Sequence, residues 1–368
     1  MVEIEDTTKQ TQEFLSLLEG REGETHAIIL QDFPDPDAIS CAFAYRLIAE
    51  ERGIETDLIY GGRVSHQENI AMINLLNIEL IEWGQEAIPS GKYDGSVFVD
   101  NQGTTVNLVD RLDAAGVPSI AVVDHHAKQD RLTPIFQDIR IVGACASIFV
   151  DYISKGALEL KTSKPEHRRL ATALMHGIIS ETGSMITALP LDFRAAGLIQ
   201  PFIDNELLVE ILHQQRSHRV MEIIRMALEN RVIREGYCFS GIGYLRSSDR
   251  DAIPQAADFL LTEATVHTAI VYGMVSHSHG GESINGSLRT TEVALGPDSF
   301  LKDALGKMES GTFYGGGKST AGGFSIPLGF LSGQDNSKLS HLKWKAYDEK
   351  IRKKFFNKIG VVEDKEDE

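Results

Sequence analysis

Between residues 26 and 150 the chain alternates short apolar runs with longer stretches of helical spacing. "HAIIL" (26–30), "TDLIY" (56–60), "SVFVD" (96–100) and "SIAVVD" (119–124) are β-rich and lack strict apolar–polar alternation. Strands covered on both faces look like this. Between them, "AISCAFAYRLIAEERG" (38–53) reads as a helix that stops at Gly53 in the manner of a C-cap. Strand–helix–strand repetition predicts a parallel α/β sheet. Helical patterns continue through "ASIFVDYISKG", "HRRLATALMHGIIS" and "LDFRAAGLIQ".

Residues 204–234 read as one or two long helices, with Leu207, Leu208, Ile211 and Leu212, then Val220, Ile223, Ile224, Ala227 and Leu228, at helical spacing. Asp204 is placed to cap them. This stretch is the expected connection between two domains. A second α/β unit follows, with strands at 237–245, 267–275 and 283–289 and helices near 253–263 and 298–308. The expected organisation is a polar extension (1–24), a larger parallel-sheet domain (25–203), the helical connection (204–234), a smaller α/β domain (235–335) and a tail (336–368). The tail begins as a basic amphipathic helix and ends in acid. A docked or solvated face and a guide for a nucleic-acid strand are its two readings.

With 42% hydrophobic and 24% charged residues, the 368-residue chain has the composition of a soluble globular protein. No apolar run reaches the ~18 residues of a membrane span, and the acidic, polar N-terminus is unlike a signal peptide. Three widely spaced cysteines, Cys41, Cys145 and Cys238, suit a reducing cytoplasm and exclude a CxxC zinc site. A net charge of −17 disfavours long or duplex nucleic acid as partner, since a long strand needs an extended basic track. An anionic substrate then requires a local cationic pocket or metal ions. The chain leaves a homodimer open.

"GTFYGGGKST" (311–320) ends like a phosphate-binding loop, but the G-x-x-x-x-G-K-[ST] spacing puts the first glycine at position 312, which is Thr312. Helical sequence precedes the run and Gly- and Pro-rich sequence follows it, the reverse of that motif's context. These glycines need another explanation.

The chemistry concentrates where ligands bind in open parallel sheets, beyond the carboxyl ends of the strands. The first strand leads into "QDFPDPDAIS", with Asp32, Asp35 and Asp37; the third ends in Asp100; the fourth ends in Asp124, followed by His125 and His126. A later helix ends in Glu181. A single such carboxylate is adequately explained as a helix cap or turn residue. Several facing one another repel and call for cations. Oxygen ligands with one or two imidazoles suit Mn²⁺ or Mg²⁺, and two such ions can activate a water and clamp a phosphoryl group. The residues themselves point to a two-metal phosphoesterase or related hydrolase.

The order "PDPDA", "VFVD", "VVDHH", "GIISETG", "SLRT", "GGGKSTAGG" resembles the DHH phosphoesterase superfamily over residues 26–330. Within it the chain looks most like the bacterial oligoribonuclease and phosphoadenosine-phosphate phosphatase group, with the RecJ exonuclease and cyclic-dinucleotide phosphodiesterases as cousins. The resemblance implies an N-terminal DHH domain carrying two Mn²⁺, with Mg²⁺ as the other ion to consider, and a C-terminal domain that grips substrate. It implies that Asp35 and Asp37 each serve one metal, Asp100 bridges both, and His125 ligates the second. It makes Asp124 and His126 the catalytic pair, Asp124 orienting the histidines and His126 beside the reacting phosphate. Arg289 would bind a substrate phosphate, and Gly315, Gly316, Gly317, Lys318 and Ser319 would form a glycine loop that lets backbone approach one.

Three positions depart from the family. Glu181 stands for a metal-binding aspartate and keeps its carboxylate. Lys318 stands for a histidine and keeps a cationic donor. Gln31 stands for a histidine that ligates the first metal, and an amide oxygen is the weaker ligand for Mn²⁺. The expectation is a first site that is weak, Mg²⁺-leaning or empty. The expected function is metal-dependent hydrolysis of short oligonucleotides or nucleotide phosphates. The alternatives are a nucleotide sensor with weakened catalysis, or a cyclic-dinucleotide, pyrophosphate or polyphosphate hydrolase.

Overall fold

The structure, a computed structural model, describes residues 7–64, 66–104, 106–277, 281–309, 311–317, 320–333 and 337–361. The chain divides into two compact units, Met1–Gln214 and Gln215–Glu368.

The first unit runs α1 (Thr8–Leu18), β1 (Thr25–Ile29), α2 (Pro36–Glu50), β2 (Glu55–Tyr60), α3 (Gln67–Leu76), β3 (Ile81–Glu82), β4 (Gly95–Val99), α4 (Val109–Ala114), β5 (Ser119–Asp124), β6 (Phe136–Ile139), α5 (Cys145–Ser154), α6 (Pro165–Glu181), α7 (Pro190–Ile199) and α8 (Asn205–Leu212). Its strands pair in the order β3-β2-β1-β4-β5-β6, all parallel. The chain builds outward from β1 to β3, then returns to β4 and builds the other way. That reversal opens a crevice at the carboxyl ends of β1 and β4, where such sheets bind ligands. β4 is buried at every position and β1 at all but its first, which explains the unbroken apolar runs. One face of the sheet packs on α2, α5 and α6 around Ile28, Phe43, Val97, Val123, Phe149 and Leu174. The other face covers Ile29, Phe98, Leu108 and Val122. A Cβ on Gly177 would lie 2.6 Å from Ser40 Oγ and 3.2 Å from Asp37 Cα, so α6 crosses α2 closely only because that residue is glycine.

Three elements of this unit, β3, β6 and α1, escape the sequence pattern, and β3 has only two residues. β6 is a short edge strand. Residues 8–18, read from sequence as part of a polar extension, form α1, whose Phe14 and Leu18 are fully buried. Phe14 stacks on Tyr152 at 4.4 Å between ring centroids.

The second unit runs α9 (His218–Glu229), β7 (Arg231–Arg234), β8 (Tyr237–Arg246), α10 (Ala252–Leu260), β9 (Thr268–Ser276), β10 (Glu282–Thr290), α11 (Pro297–Leu305), β11 (Gly315–Gly317), β12 (Ala321–Pro327) and α12 (Ser337–Ile359). Its sheet has the order β11-β12-β10-β9-β8-β7, antiparallel except for the β8–β9 pair. The stretch 204–234 resolves into α8 and α9, each capped by a side chain, Asp204 and Ser217. Its last residues are strand β7 rather than helix. The tail helix α12 docks: Ile351, Phe355 and Phe356 are buried in this unit's core, and Lys343 forms a buried ion pair with Glu282 at 2.6 Å. The acidic end lies outside the described residues. No helix among the described residues is long and apolar enough to cross a membrane. The three cysteines are buried and free.

Candidate metal centre

Asp100 follows the last residue of β4 with φ +56°, a left-handed conformation that aspartate tolerates better than most residues. Its N–H donates to Val123 O at 2.9 Å, which locks it to β5. Strain of this kind concentrates at functional sites. The carboxylate is 2% exposed, and burial together with the Asp37 and Asp35 charges pushes its pKa well up.

His125 begins the loop after β5. Its Nδ1 lies 3.0 Å from Val142 O, an acceptor, so Nδ1 carries the proton and Nε2 presents a lone pair. That lone pair faces Asp100 Oδ1 at 3.4 Å. Both atoms are buried and neither has a hydrogen-bond partner. With no cation between them, that lone pair takes up a proton: burial opposes charge on His125, but the Asp100 and Asp37 carboxylates override it and raise its pKa to about 10. Two buried acceptors facing each other call for a proton or a cation between them.

His125 Nε2 also lies 3.9 Å from Asp37 Oδ2 and 3.8 Å from Glu181 Oε1. His126 Nδ1 lies 3.8 Å from Asp100 Oδ1. Asp100, His125 and His126 offer ligand atoms within 4.8 Å of one another. Around an ion with metal–ligand distances of about 2.1 Å, ligands are ~3 Å apart when adjacent and ~4 Å apart when opposite. The separations of His125 Nε2 from the Asp100, Asp37 and Glu181 oxygens fall in that span, and the donors are carboxylate oxygens and an imidazole nitrogen. The residues fit a Mn²⁺- or Mg²⁺-class ion.

Asp37, in the first turn of α2, is fully buried. It accepts the N–H groups of Cys145 and Ala146, both at 2.7 Å. It thereby caps α5, which has no side-chain cap of its own. Burial raises its pKa to about 7, with the Asp35 and Glu181 charges adding to the rise and His125 opposing it. Asp35 caps α2, accepting Ala38 N–H at 2.9 Å. Gln31 Nε2 donates to the other Asp35 oxygen at 2.7 Å. Asp32 points away and accepts Asn107 N–H at 3.0 Å.

Asp124 holds the histidine pair. Its Oδ1 accepts His125 N–H at 2.8 Å and lies 2.8 Å from His126 Nδ1. Its Oδ2 accepts Gln102 Nε2 at 2.7 Å. Burial opposes its charge, yet these bonds hold its pKa below the usual carboxylate range. Sequence reasoning missed Gln102, which also donates to Ala127 O and accepts Gln129 N–H. It also missed Asp192, fully buried, which accepts from Gly143, Ala144 and Ser147 beside the start of α5. For Gln102 the one signal was an uncharged polar pair, Asn101–Gln102, directly behind a strand-end aspartate.

The remaining candidates lie in the second unit. Arg289, on β10, pairs with Asp258 on α10 at 2.8 Å and donates to Ser287 Oγ. Gly315–Gly317 form the edge strand β11, not a loop, paired to β12. A Cβ on Gly317 would lie 2.6 Å from Ala321 O, so close strand packing accounts for that glycine. A strand rather than a helix follows the run, which excludes a phosphate-binding loop of the G-x-x-x-x-G-K-[ST] type. Lys318 and Ser319 lie outside the described residues.

Among solved structures, an exopolyphosphatase-related protein from Bacteroides fragilis aligns with a TM-score of 0.62 at 12% identity, covering 94% of this chain and 98% of that one. The fold is the one the sequence resemblance implies. A Mn²⁺ complex of RecJ from Thermus thermophilus aligns with a TM-score of 0.42 at 13% identity, over 96% of this chain and 60% of that one. An uncharacterized protein of Methanocaldococcus jannaschii is 36% identical over 334 residues, 90% of this chain. The chain spans 63% of that relative's length. No protein-family model matches the sequence.

Proposed function

We propose that this protein is a divalent-metal-dependent phosphoesterase that hydrolyses short oligonucleotides or nucleotide phosphates. The observation that carries the reading is the pair Asp100 Oδ1 and His125 Nε2, buried, unpartnered and 3.4 Å apart at the carboxyl edge of a parallel sheet. When bound there, the ion supplies a Lewis acid for phosphoryl oxygens and lowers the pKa of water. Asp100 and His125 hold the ion, with Asp37 and Glu181 within reach. Asp124 fixes the His126 tautomer, leaving Nε2 to exchange a proton with the phosphoryl or leaving oxygen. The departures at Gln31, Glu181 and Lys318 leave this constellation complete, which argues against a sensor that has lost catalysis. The acidic net charge favours short substrates over long polymers.

Product analysis on the purified full-length chain tests this, with Mn²⁺ and then Mg²⁺. The panel holds a linear dinucleotide, a longer RNA, phosphoadenosine phosphate, a cyclic dinucleotide and pyrophosphate. Metal-dependent release of mononucleotides or phosphate from the short substrates, lost in Asp100→Asn, is the expected result. No turnover of any of them, by folded protein with metal bound, would refute it.

A further inference from the structure

Gln31 and Asp35 occupy a corner of the strand-end cluster where both oxygens of the carboxylate already have donors. Gln31 Nε2 donates to Asp35 Oδ2 at 2.7 Å and Ala38 N–H donates to Oδ1 at 2.9 Å. The opposite corner is the reverse: Asp100 Oδ1 and His125 Nε2 are buried, have no hydrogen-bond partner and face each other at 3.4 Å, where only a proton or a cation can sit. A cation satisfies the second arrangement. At the first an ion would meet the donor end of the Gln31 amide, held toward the carboxylate by a charge-assisted hydrogen bond.

The amide makes this exclusion chemical rather than steric. An amide nitrogen has no lone pair to give a metal, so glutamine ligates only through Oε1. Turning Oε1 toward an ion beside Asp35 removes the 2.7 Å bond and sets oxygen against carboxylate. An imidazole at this position would offer a lone pair with no such reversal. Asp35 would also have to share Oδ1 with the cap of α2.

We infer that each chain holds one divalent ion, at the Asp100–His125 corner, and that the Gln31–Asp35 hydrogen bond closes the position a second ion would take. This rests on the metal-dependent reading above and narrows it: one cation, with Gln31 as the residue that sets the count. On the Asp35 side, an amide donor rather than a metal ion faces whatever the site binds.

Metal counting decides the matter without recourse to activity. Full-length protein is stripped with chelator, reloaded with Mn²⁺, and its high-affinity sites counted by isothermal titration calorimetry and elemental analysis. Wild type is expected to take up one ion per chain, Asp100→Asn none and Gln31→His two. Asparagine suits the left-handed backbone at position 100, and circular dichroism of each variant checks the fold. Paramagnetic resonance should give the resolved hyperfine pattern of an isolated Mn²⁺ in wild type and the broadened spectrum of a coupled pair in Gln31→His. Two ions with a coupled spectrum in wild type would overturn the inference and leave the metal-dependent reading standing. No ion on folded wild type would overturn both. A Gln31→His protein that still counts one ion would overturn the part given to Gln31.

Discussion

The carboxylate of Asp124 reaches both His126 Nδ1, at 2.8 Å, and the backbone N–H of His125, at 2.8 Å, through the single oxygen Oδ1. One atom therefore sets the tautomer of one histidine and the approach of the other. Replacing Asp124 by Asn puts either an amide oxygen or an amide donor in that place, and neither carries the charge. Mn²⁺ affinity and kcat are expected to fall ~10–100-fold, the range for partners that orient ligands. Calorimetric titration with Mn²⁺ and steady-state kinetics on the best substrate measure the two separately.

Gln102 supports Asp124 from behind, with both ends of its amide bonded. Gln102→Ala leaves Gln129 N–H without its acceptor and Asp124 Oδ2 without a donor, besides a void. A loss of roughly 2 kcal/mol in stability is expected from the unpaired groups, read as a lower urea midpoint. The basic limb of the pH–rate profile should move as well, which a purely structural residue would not cause.

His176 is fully buried in α6, and neither ring nitrogen has a partner. Burial, with a smaller contribution from the His66 charge, lowers its pKa from 6.5 to about 4. The unfolded chain therefore binds this proton more readily than the folded one. Stability is complete above pH 6.5 and declines as pH falls toward 4. The gap corresponds to roughly 3 kcal/mol. In His176→Leu the decline in chemical-denaturation midpoint between neutral and mildly acid pH should be shallower; an unchanged slope would clear His176 of the effect.

Arg140 binds Asp138 through Nε and Nη2 and Asp151 through Nη1, all three residues being largely buried. Lys155 and Thr7 join the network at Asp151. Arg140→Met leaves buried Asp138 with the Tyr152 hydroxyl but no cation, while Asp151 keeps Lys155 and Thr7, and a loss of about 3 kcal/mol is expected. Thermal and urea denaturation measure it. The double variant with Asp138→Leu should recover part of the loss.

Much of this was legible in the sequence because the central strands are buried on both faces. β1, β4 and β5 announce themselves as apolar runs, and a carboxylate at the end of each run marks the edge where the chemistry gathers. β6 was not legible: "FQDI" is short, half exposed and on the edge. α1 was not, because only Thr11, Phe14 and Leu18 of its eleven residues are buried. The cap that Asp37 gives to α5 joins residues 108 apart, and no local pattern encodes it. Gln102 carries no charge, so nothing in its composition sets it apart from a surface amide. The glycine run reads like a binding loop because tight β-pairing and phosphate approach both demand a missing Cβ.

The return of the chain from β3 to β4 also orders events during synthesis. β1 leaves the ribosome with β2 available on one side and nothing on the other until β4 follows. Through that interval an apolar strand edge stands open, the kind of surface that holdase chaperones cover and that pairs with wrong partners. Asp37 in turn waits for α5 before its oxygens find their N–H donors, and Glu181 arrives later still. A nascent chain paused before α5 carries Asp37 without the N–H groups that make its burial tolerable, so this carboxylate edge is completed only once α5 and α6 have emerged.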